Sequence, residues 1–108
     1  MAIKTISDAT FDTDVIKSPI PVLVEFWADW SIGNANIGPD LQILSEELRT
    51  QVSFTRLDTE TSTATPNKYN IRAVPYLLLF NKGRKVAQLT GQPTKAQIRK
   101  LIKDNVDI

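Results

Sequence analysis

One stretch decides the fold of this chain: Val24-Glu25-Phe26-Trp27-Ala28-Asp29-Trp30-Ser31-Ile32-Gly33-Asn34. Its first part continues an apolar run that begins at Val22, and such a run is typical of a strand covered on both faces. Its last part, Ser31-x-x-Asn34, opens a segment with apolar residues at helical spacing, namely Ile37, Leu41, Leu44 and Leu48. The stretch therefore predicts a buried strand followed directly by a long helix, with polar side chains at the junction.

Length and composition limit what else the chain can be. Its 108 residues fit one domain, which we place at residues 1–108. With 13 basic and 12 acidic residues, the net charge of +1 gives no reason to expect binding to nucleic acid or to a membrane. The N-terminus does not read as an export leader, and no apolar run reaches the ~18 residues that span a bilayer. We therefore expect a cytosolic protein.

The chain has neither cysteine nor histidine. The first absence excludes a dithiol, and the second removes the commonest general base and metal ligand. Zinc sites and nucleophile sites of the Ser–His–Asp or Cys–His type are excluded with them. We therefore expect no metal and no cofactor.

The rest of the sequence predicts alternating strands and helices. Further strands are expected over Ile3–Ile6, Gln51–Asp58, Tyr76–Phe80 and Arg84–Thr90, and Asn81-Lys82-Gly83 predicts a hairpin turn. Further helices are expected after an N-cap at Ser7 with Asp8 in the first turn, within the Thr-rich residues 60–70, and after Thr94. The order β-α-β-α-β-α-β-β-α predicts an α/β fold, with a central mixed five-stranded sheet flanked by four helices.

Several separated motifs give the chain a resemblance to the thioredoxin family. Besides Trp27-Ala28-Asp29-Trp30, residues 68–75 are similar to the family's Lys-Tyr-x-Ile-Arg-x-x-Pro, and residues 77–83 resemble its Leu-Leu-Leu-Phe-x-x-Gly. The resemblance covers essentially the whole chain and implies the thioredoxin fold. In that family the junction holds Trp-Cys-x-x-Cys, the redox dithiol, and here the two cysteine positions are Ser31 and Asn34.

Ser31 and Asn34 are thus vacated redox positions, and we expect no catalytic residue. Ser31 is expected to be an N-cap, whose side-chain oxygen accepts a hydrogen bond from a backbone N–H at the start of the helix. It is not expected to be a nucleophile, because a hydroxyl needs an adjacent base to act as one. Asn34 is expected to hydrogen-bond locally, and Gly33 to restore backbone freedom where the family has a proline. Since all four motif positions differ, the chain is interpreted as a natural paralogue rather than a laboratory trapping variant.

Glu25 admits two interpretations. An acid inside an apolar run can point to water from the end of the strand. The resemblance instead implies an acid buried beneath the vacated dithiol, and burial would raise its pKa. Arg56 matches the family's lysine near that acid, and the sequence leaves open whether Arg56 pairs with Glu25.

The resemblance also implies a protein-binding surface. In the family, Pro75 would follow a cis peptide bond, in a loop whose backbone pairs with an extended peptide. We expect one exposed apolar patch there, formed by Trp30, Ile32, Val74, Pro75 and Tyr76, with Ala73 and Gly91 at its border. Ile32 and Tyr76 are larger and more apolar than the family's usual residues, which favours binding. Trp27 is expected in the core.

The leading hypothesis is a redox-inactive thioredoxin-like protein. It would be a monomer that binds an extended protein segment at this patch, as an adaptor, a chaperone-like module or a subunit of a complex. One alternative is an oxidoreductase of the thioredoxin family, a protein-disulfide reductase whose activity is lost or residual. The other is a structural paralogue that binds nothing.

Overall fold

The computed structural model describes residues 2–108, which form a five-stranded sheet with helical segments on both faces. The strands are β1 (Ile3–Ile6), β2 (Val22–Trp27), β3 (Ser53–Asp58), β4 (Tyr76–Asn81) and β5 (Arg84–Thr90). A π-helical segment, Asp12–Ile16, precedes α1 (Ile32–Glu47), α2 (Ala64–Lys68) and α3 (Lys95–Asn105). The predicted α/β class and order of elements are confirmed. No helix within residues 2–108 is long and apolar enough to cross a membrane.

Strand β2 lies at the centre of the sheet, whose order is β1-β3-β2-β4-β5. β3 runs parallel to both β1 and β2, whereas β4 runs antiparallel to β2 and to β5. In this register Glu25 lies between Arg56 of β3 and Leu77 of β4. The strand that leads into the junction is therefore held from both sides.

The apolar run of β2 is buried because each face of the sheet carries its own core. On one face, Leu23 packs in a cluster with the buried side of α1 and α3, formed by Ile37, Leu41, Leu44, Leu48, Ile98 and Ile102. On the other face, Val22, Val24 and Phe26 pack with Phe11 and Val15 around the π-helical segment. Alternation along β2 therefore directs Glu25, like Leu23, toward the face that α1 covers.

The hairpin between β4 and β5 has the geometry that its sequence predicts. Lys82 and Gly83 both have positive φ, 55° and 78°, as a two-residue type I′ turn requires. Gly83 is also fixed by a close approach, since a Cβ there would lie 2.9 Å from the carbonyl oxygen of Ile16. The turn thus packs against the end of the π-helical segment.

The first helix differs from the prediction in form and in its cap. The N–H of Lys17 donates to the carbonyl of Asp12, five residues back, at 2.9 Å, which makes the segment π-helical. The predicted cap at Ser7 is wrong: the structure gives this segment no side-chain cap, and the Ser7 N–H donates to Thr10 Oγ1 at 3.0 Å.

Asp8 caps a different helix from the predicted one. Its carboxylate accepts hydrogen bonds from the N–H groups of Ala64 (3.0 Å) and Thr65 (2.9 Å), at the start of α2. Burial acts to raise the pKa of Asp8, but the hydrogen bonds from Thr65 and Ala64 outweigh it, and the pKa is lowered. A cap that comes from another part of the chain cannot be inferred from local sequence spacing.

We predict that Asp8→Ala lowers the free energy of unfolding by about 1 kcal/mol at neutral pH, because α2 loses its N-terminal acceptor. Urea unfolding followed by circular dichroism measures the loss. Asp12→Ala is the matched control, since the exposed Asp12 makes only a surface ion pair with Lys17. An equal loss in both variants would contradict the capping role.

Candidate functional site

The junction after β2 is organised by the N-terminus of α1. Ser31 Oγ accepts a hydrogen bond from the Asn34 N–H at 3.1 Å, so the predicted N-cap is confirmed. The Ser31 N–H in turn donates to the Ala28 carbonyl at 3.0 Å. The buried hydroxyl therefore caps the helix, and α1 begins directly after it, at Ile32.

Asn34 connects α1 to the central strand. Its side-chain amide donates to Glu25 Oε2 at 2.8 Å and to the Phe26 carbonyl at 3.2 Å, and the residue is only 4% exposed. The prediction of a local hydrogen bond from this side chain is wrong, because its partners lie eight and nine residues earlier in the chain. The amide thus occupies the base of the vacated site and holds the carboxylate beneath it.

Glu25 is a buried acid with two neighbours. It is 4% exposed, and its Oε1 lies 3.4 Å from Arg56 Nε, a contact that is an ion pair without hydrogen-bond geometry. Burial raises the pKa of Glu25, while the hydrogen bond from Asn34 and the charge of Arg56 act to lower it; the net shift is upward. Arg56 therefore pairs with Glu25 but does not cancel the effect of burial.

Trp27 lies at the edge of this group and not in either core cluster. It is half-buried, and the Arg56 guanidinium carbon stands 4.0 Å from the centre of its ring, a cation–π contact. The prediction that Trp27 belongs to the core is therefore wrong. Its ring covers the cation that faces Glu25.

Opposite the helix end lies the loop that precedes β4. The Val74–Pro75 peptide bond is cis, as the resemblance implies, and Pro75 is buried. A Cβ on Gly33 would lie 2.7 Å from Pro75 Cδ and 3.3 Å from Gln92 Cγ. Gly33 does not adopt a positive φ, so the expected role in backbone freedom is wrong. The glycine is needed because α1 and the Pro75 loop touch.

The predicted patch is exposed in some members and covered in others. Trp30 and Ile32 are 67% and 75% exposed. Ala73 and Gly91 are also exposed, Val74 and Tyr76 are half-buried, and Pro75 is buried. Tyr76 packs against the core cluster that contains Phe26. The accessible apolar surface is therefore mostly Trp30 and Ile32.

Beside Trp30 is a small hollow that sequence reasoning missed. Its volume is about 130 Å³, and it is lined by Trp30, Thr59, Ile71, Arg72, Ala73 and Val74. In the part of the chain that the structure describes, the backbone N–H and C=O groups of residues 72–74 have no hydrogen-bond partner. Arg72 lies within the motif that ends at Pro75 and could have been found from it. Thr59, which follows β3, carries no sequence signal for this position.

A metal centre does not emerge from this arrangement. Across residues 2–108, no group of three or more acidic side chains is close enough to hold a metal ion. The site therefore offers a helix cap, a buried carboxylate with an amide and a guanidinium, and an exposed apolar surface.

Comparison with known proteins agrees with the resemblance in the sequence. The model of the family described as Thioredoxin matches residues 2–104. The chain is 39% identical over 97 residues to the thioredoxin of Acidithiobacillus ferridurans, with 90% of each chain covered. It is 37% identical over 100 residues to thioredoxin C-2 of Corynebacterium nephridii, with 93% of each covered. It is 34% identical over 101 residues to the thioredoxin of Haemophilus influenzae, with 94% of each covered.

We predict opposite effects from adding a methyl group at two glycines of α1. Gly33→Ala should lower the free energy of unfolding by about 1–3 kcal/mol, because the new Cβ overpacks against Pro75. Gly38→Ala should raise it by about 0.5–1 kcal/mol, because a Cβ there meets no atom within 4 Å and alanine favours the helix. Urea unfolding measures both changes in the free energy of unfolding. An equal change in the two variants would rule out the close approach of Gly33 to Pro75.

We predict that Glu25→Gln raises stability in a pH-dependent way. The folded-state pKa of Glu25 lies above its ordinary value of 4.5. Glu25 therefore makes its full favourable contribution to the free energy of unfolding only below that pH. The contribution is lost as the pH rises through the folded-state pKa. The free energy of unfolding of the variant should therefore increase relative to that of the native protein as the pH rises, and the two values should converge in acid. Urea unfolding across this range measures the difference, and a difference independent of pH would contradict the raised pKa.

Proposed function

This chain belongs to the thioredoxin family, and we propose that it is a redox-inactive member that binds an extended protein segment. The binding surface would be the patch of Trp30 and Ile32 together with residues 72–76. Electron exchange through a dithiol requires a thiolate, and the chain contains no cysteine. The role of such a protein would be that of an adaptor, a chaperone-like module or a subunit of a complex.

The observation that carries the proposal is the pairing of apolar surface with free backbone. Among residues 2–108, Trp30 and Ile32 have the most exposed large apolar side chains, at 67% and 75%. Next to Trp30, the backbone of residues 72–74 has donors and acceptors that no group within residues 2–108 engages. An extended segment satisfies such groups with its own main chain, while its side chains enter adjacent hollows.

The hollow beside Trp30 indicates one feature of the partner. A volume of about 130 Å³ accommodates a single side chain and not a folded surface. Its walls include Ile71, Val74 and the Trp30 ring, so an aliphatic side chain fits best. Tryptophan is also among the residues that most often dominate binding energy at interfaces.

A second candidate function rests on the relatives, which are named thioredoxins. A thioredoxin-family oxidoreductase would accelerate the reduction of insulin by dithiothreitol. We expect no acceleration above buffer, and a cysteine-containing relative serves as the positive control. Acceleration by this chain would contradict the redox-inactive part of the proposal.

The binding surface is tested by crosslinking in cells. A photoreactive residue at position 72, in the wall of the hollow, should capture specific proteins from the native background. Adding Ile32→Asp should lower that yield about tenfold or more, because it places a charge in an apolar contact of hot-spot size. Ile43→Asp is the matched control, since Ile43 is also exposed on α1, 48%, but lies eleven residues further along the helix.

An identical set of crosslinked proteins with and without Ile32→Asp would contradict binding at the patch and favour a structural paralogue. The cytosolic location and monomeric state remain predictions. Cell fractionation and sedimentation of the purified chain test them.

A further inference from the structure

The wall of the hollow beside Trp30 contains a cation without a counterion, Arg72. Arg72 is exposed, and within residues 2–108 it takes part in no ion pair. Two other arginines, Arg56 and Arg99, face carboxylates at 3.4 Å and 3.0 Å. The charge of Arg72 therefore remains available at the place where the proposed partner would be anchored.

The main chain of Arg72 would bring a partner close to its side chain. The N–H and C=O groups of residues 72–74 have no hydrogen-bond partner within residues 2–108. A segment that pairs with them as a strand does places the Cβ of its nearest residue about 4.5–5.5 Å from the Cβ opposite. Opposite charges at this distance attract and like charges repel, so the residue that meets Arg72 is selected by its charge.

The hollow determines which residue of the segment this is. Its volume of about 130 Å³ takes one side chain, and its walls of Trp30, Ile71 and Val74 favour an aliphatic one. In an extended chain the next side chain points away, and the one after it returns to the same side, roughly 6.6–6.8 Å from the first. That side chain lies over the rim of the hollow, within reach of the long side chain of Arg72.

The opposite wall of the hollow has the opposite electrostatic character. It is formed by Thr59, whose hydroxyl donates to the Trp27 carbonyl at 3.1 Å. Asp58 and Glu60 stand on either side of Thr59 in the chain, and neither carboxylate forms an ion pair within residues 2–108. A carboxylate of the partner is therefore attracted to the Arg72 wall and repelled from the Thr59 wall.

We propose, building on the binding function above, that the partner segment is acidic beside its anchor: an Asp or Glu stands two residues from the aliphatic residue that enters the hollow, and its carboxylate pairs with Arg72. A guanidinium presents its N–H groups in a planar fork that matches both oxygens of a carboxylate. A neutral residue at that position lacks the charge, and a lysine or arginine there is repelled.

Three capped peptides test the proposal by nuclear magnetic resonance titration of the Trp30 indole and the amides of residues 72–74. The neutral peptide is acetyl-Thr-Gln-Thr-Leu-Thr-Gln-Thr-amide, and the other two carry Glu in place of either the first or the second Gln. The peptide that brings its Glu to Arg72 should bind about threefold more tightly than the neutral one, a ratio typical of an exposed ion pair. The other should bind no more tightly than the neutral peptide. The gain should disappear at about 1 M salt, where the Debye length is about 3 Å.

Two variants show whether the gain comes from Arg72. In Arg72→Gln, the favoured Glu peptide and the neutral peptide should bind with equal Kd. Arg84→Gln is the matched control, since Arg84 is also exposed and without an ion pair within residues 2–108. Arg84 pairs with Asn81, at the end of β4 that lies away from the Pro75 loop. The threefold gain should therefore persist in this control.

Three results would overturn the proposal: equal Kd values for the three peptides, a gain that persists in Arg72→Gln, or no saturable shift with any peptide. The first two leave the binding function intact if the neutral peptide binds and Ile32→Asp weakens it. The crosslinking experiment is also independent of this charge, because a photoreactive group replaces the arginine at position 72. Failure of the acidic residue and failure of the binding surface are thus distinguished.

Discussion

The structure around the junction depends on one requirement: a carboxylate buried in the central strand must find hydrogen-bond donors. Glu25 lies on the face of β2 that α1 covers, where it is 4% exposed and largely shielded from water. Asn34 supplies the donor from the first turn of α1 and bonds the neighbouring carbonyl of Phe26 as well. This bidentate contact fixes the helix end over the strand. Ser31 then caps the helix, and Gly33 allows it to rest on Pro75.

The same contact separates two surfaces with different chemistry. On one side of the helix end, the exposed Trp30 and Ile32 adjoin a loop with free backbone groups. On the other side, short residues of α1 leave a polar cavity beside Glu25. In a chain without thiols, the residues at the old redox positions are inward-facing structural groups, whereas the neighbouring Trp30 and Ile32 are exposed. This arrangement is the physical basis for the proposed binding role.

Much of the fold could be predicted from the sequence, because periodicity reports burial directly. Strands β1, β2 and β5 have the predicted limits, since each is bounded by turn residues or prolines. β3 begins at Ser53 and not at Gln51, because the apolar Val52 belongs to a turn in which its N–H donates to the Leu48 carbonyl. A buried apolar residue in a turn gives the same apolar signal in the sequence as one in a strand.

The site was less predictable, since the partners of Asn34 and Gly33 are set by how elements pack and not by spacing along the chain. The cavity was not predictable, because it results from what neighbouring elements leave unfilled.

The cap that Asp8 provides has a consequence for local stability. Helix α2 has five residues, too few to be stable by itself, and its first amides depend on a carboxylate 56 and 57 residues away in sequence. Detachment of the segment after β1 would therefore release α2 at the same time. The amide protons of Ala64 and Thr65 should exchange with solvent at the rate at which the N-terminal segment opens. The start of the chain and the helix that precedes the Pro75 loop thus form one cooperative unit of local unfolding.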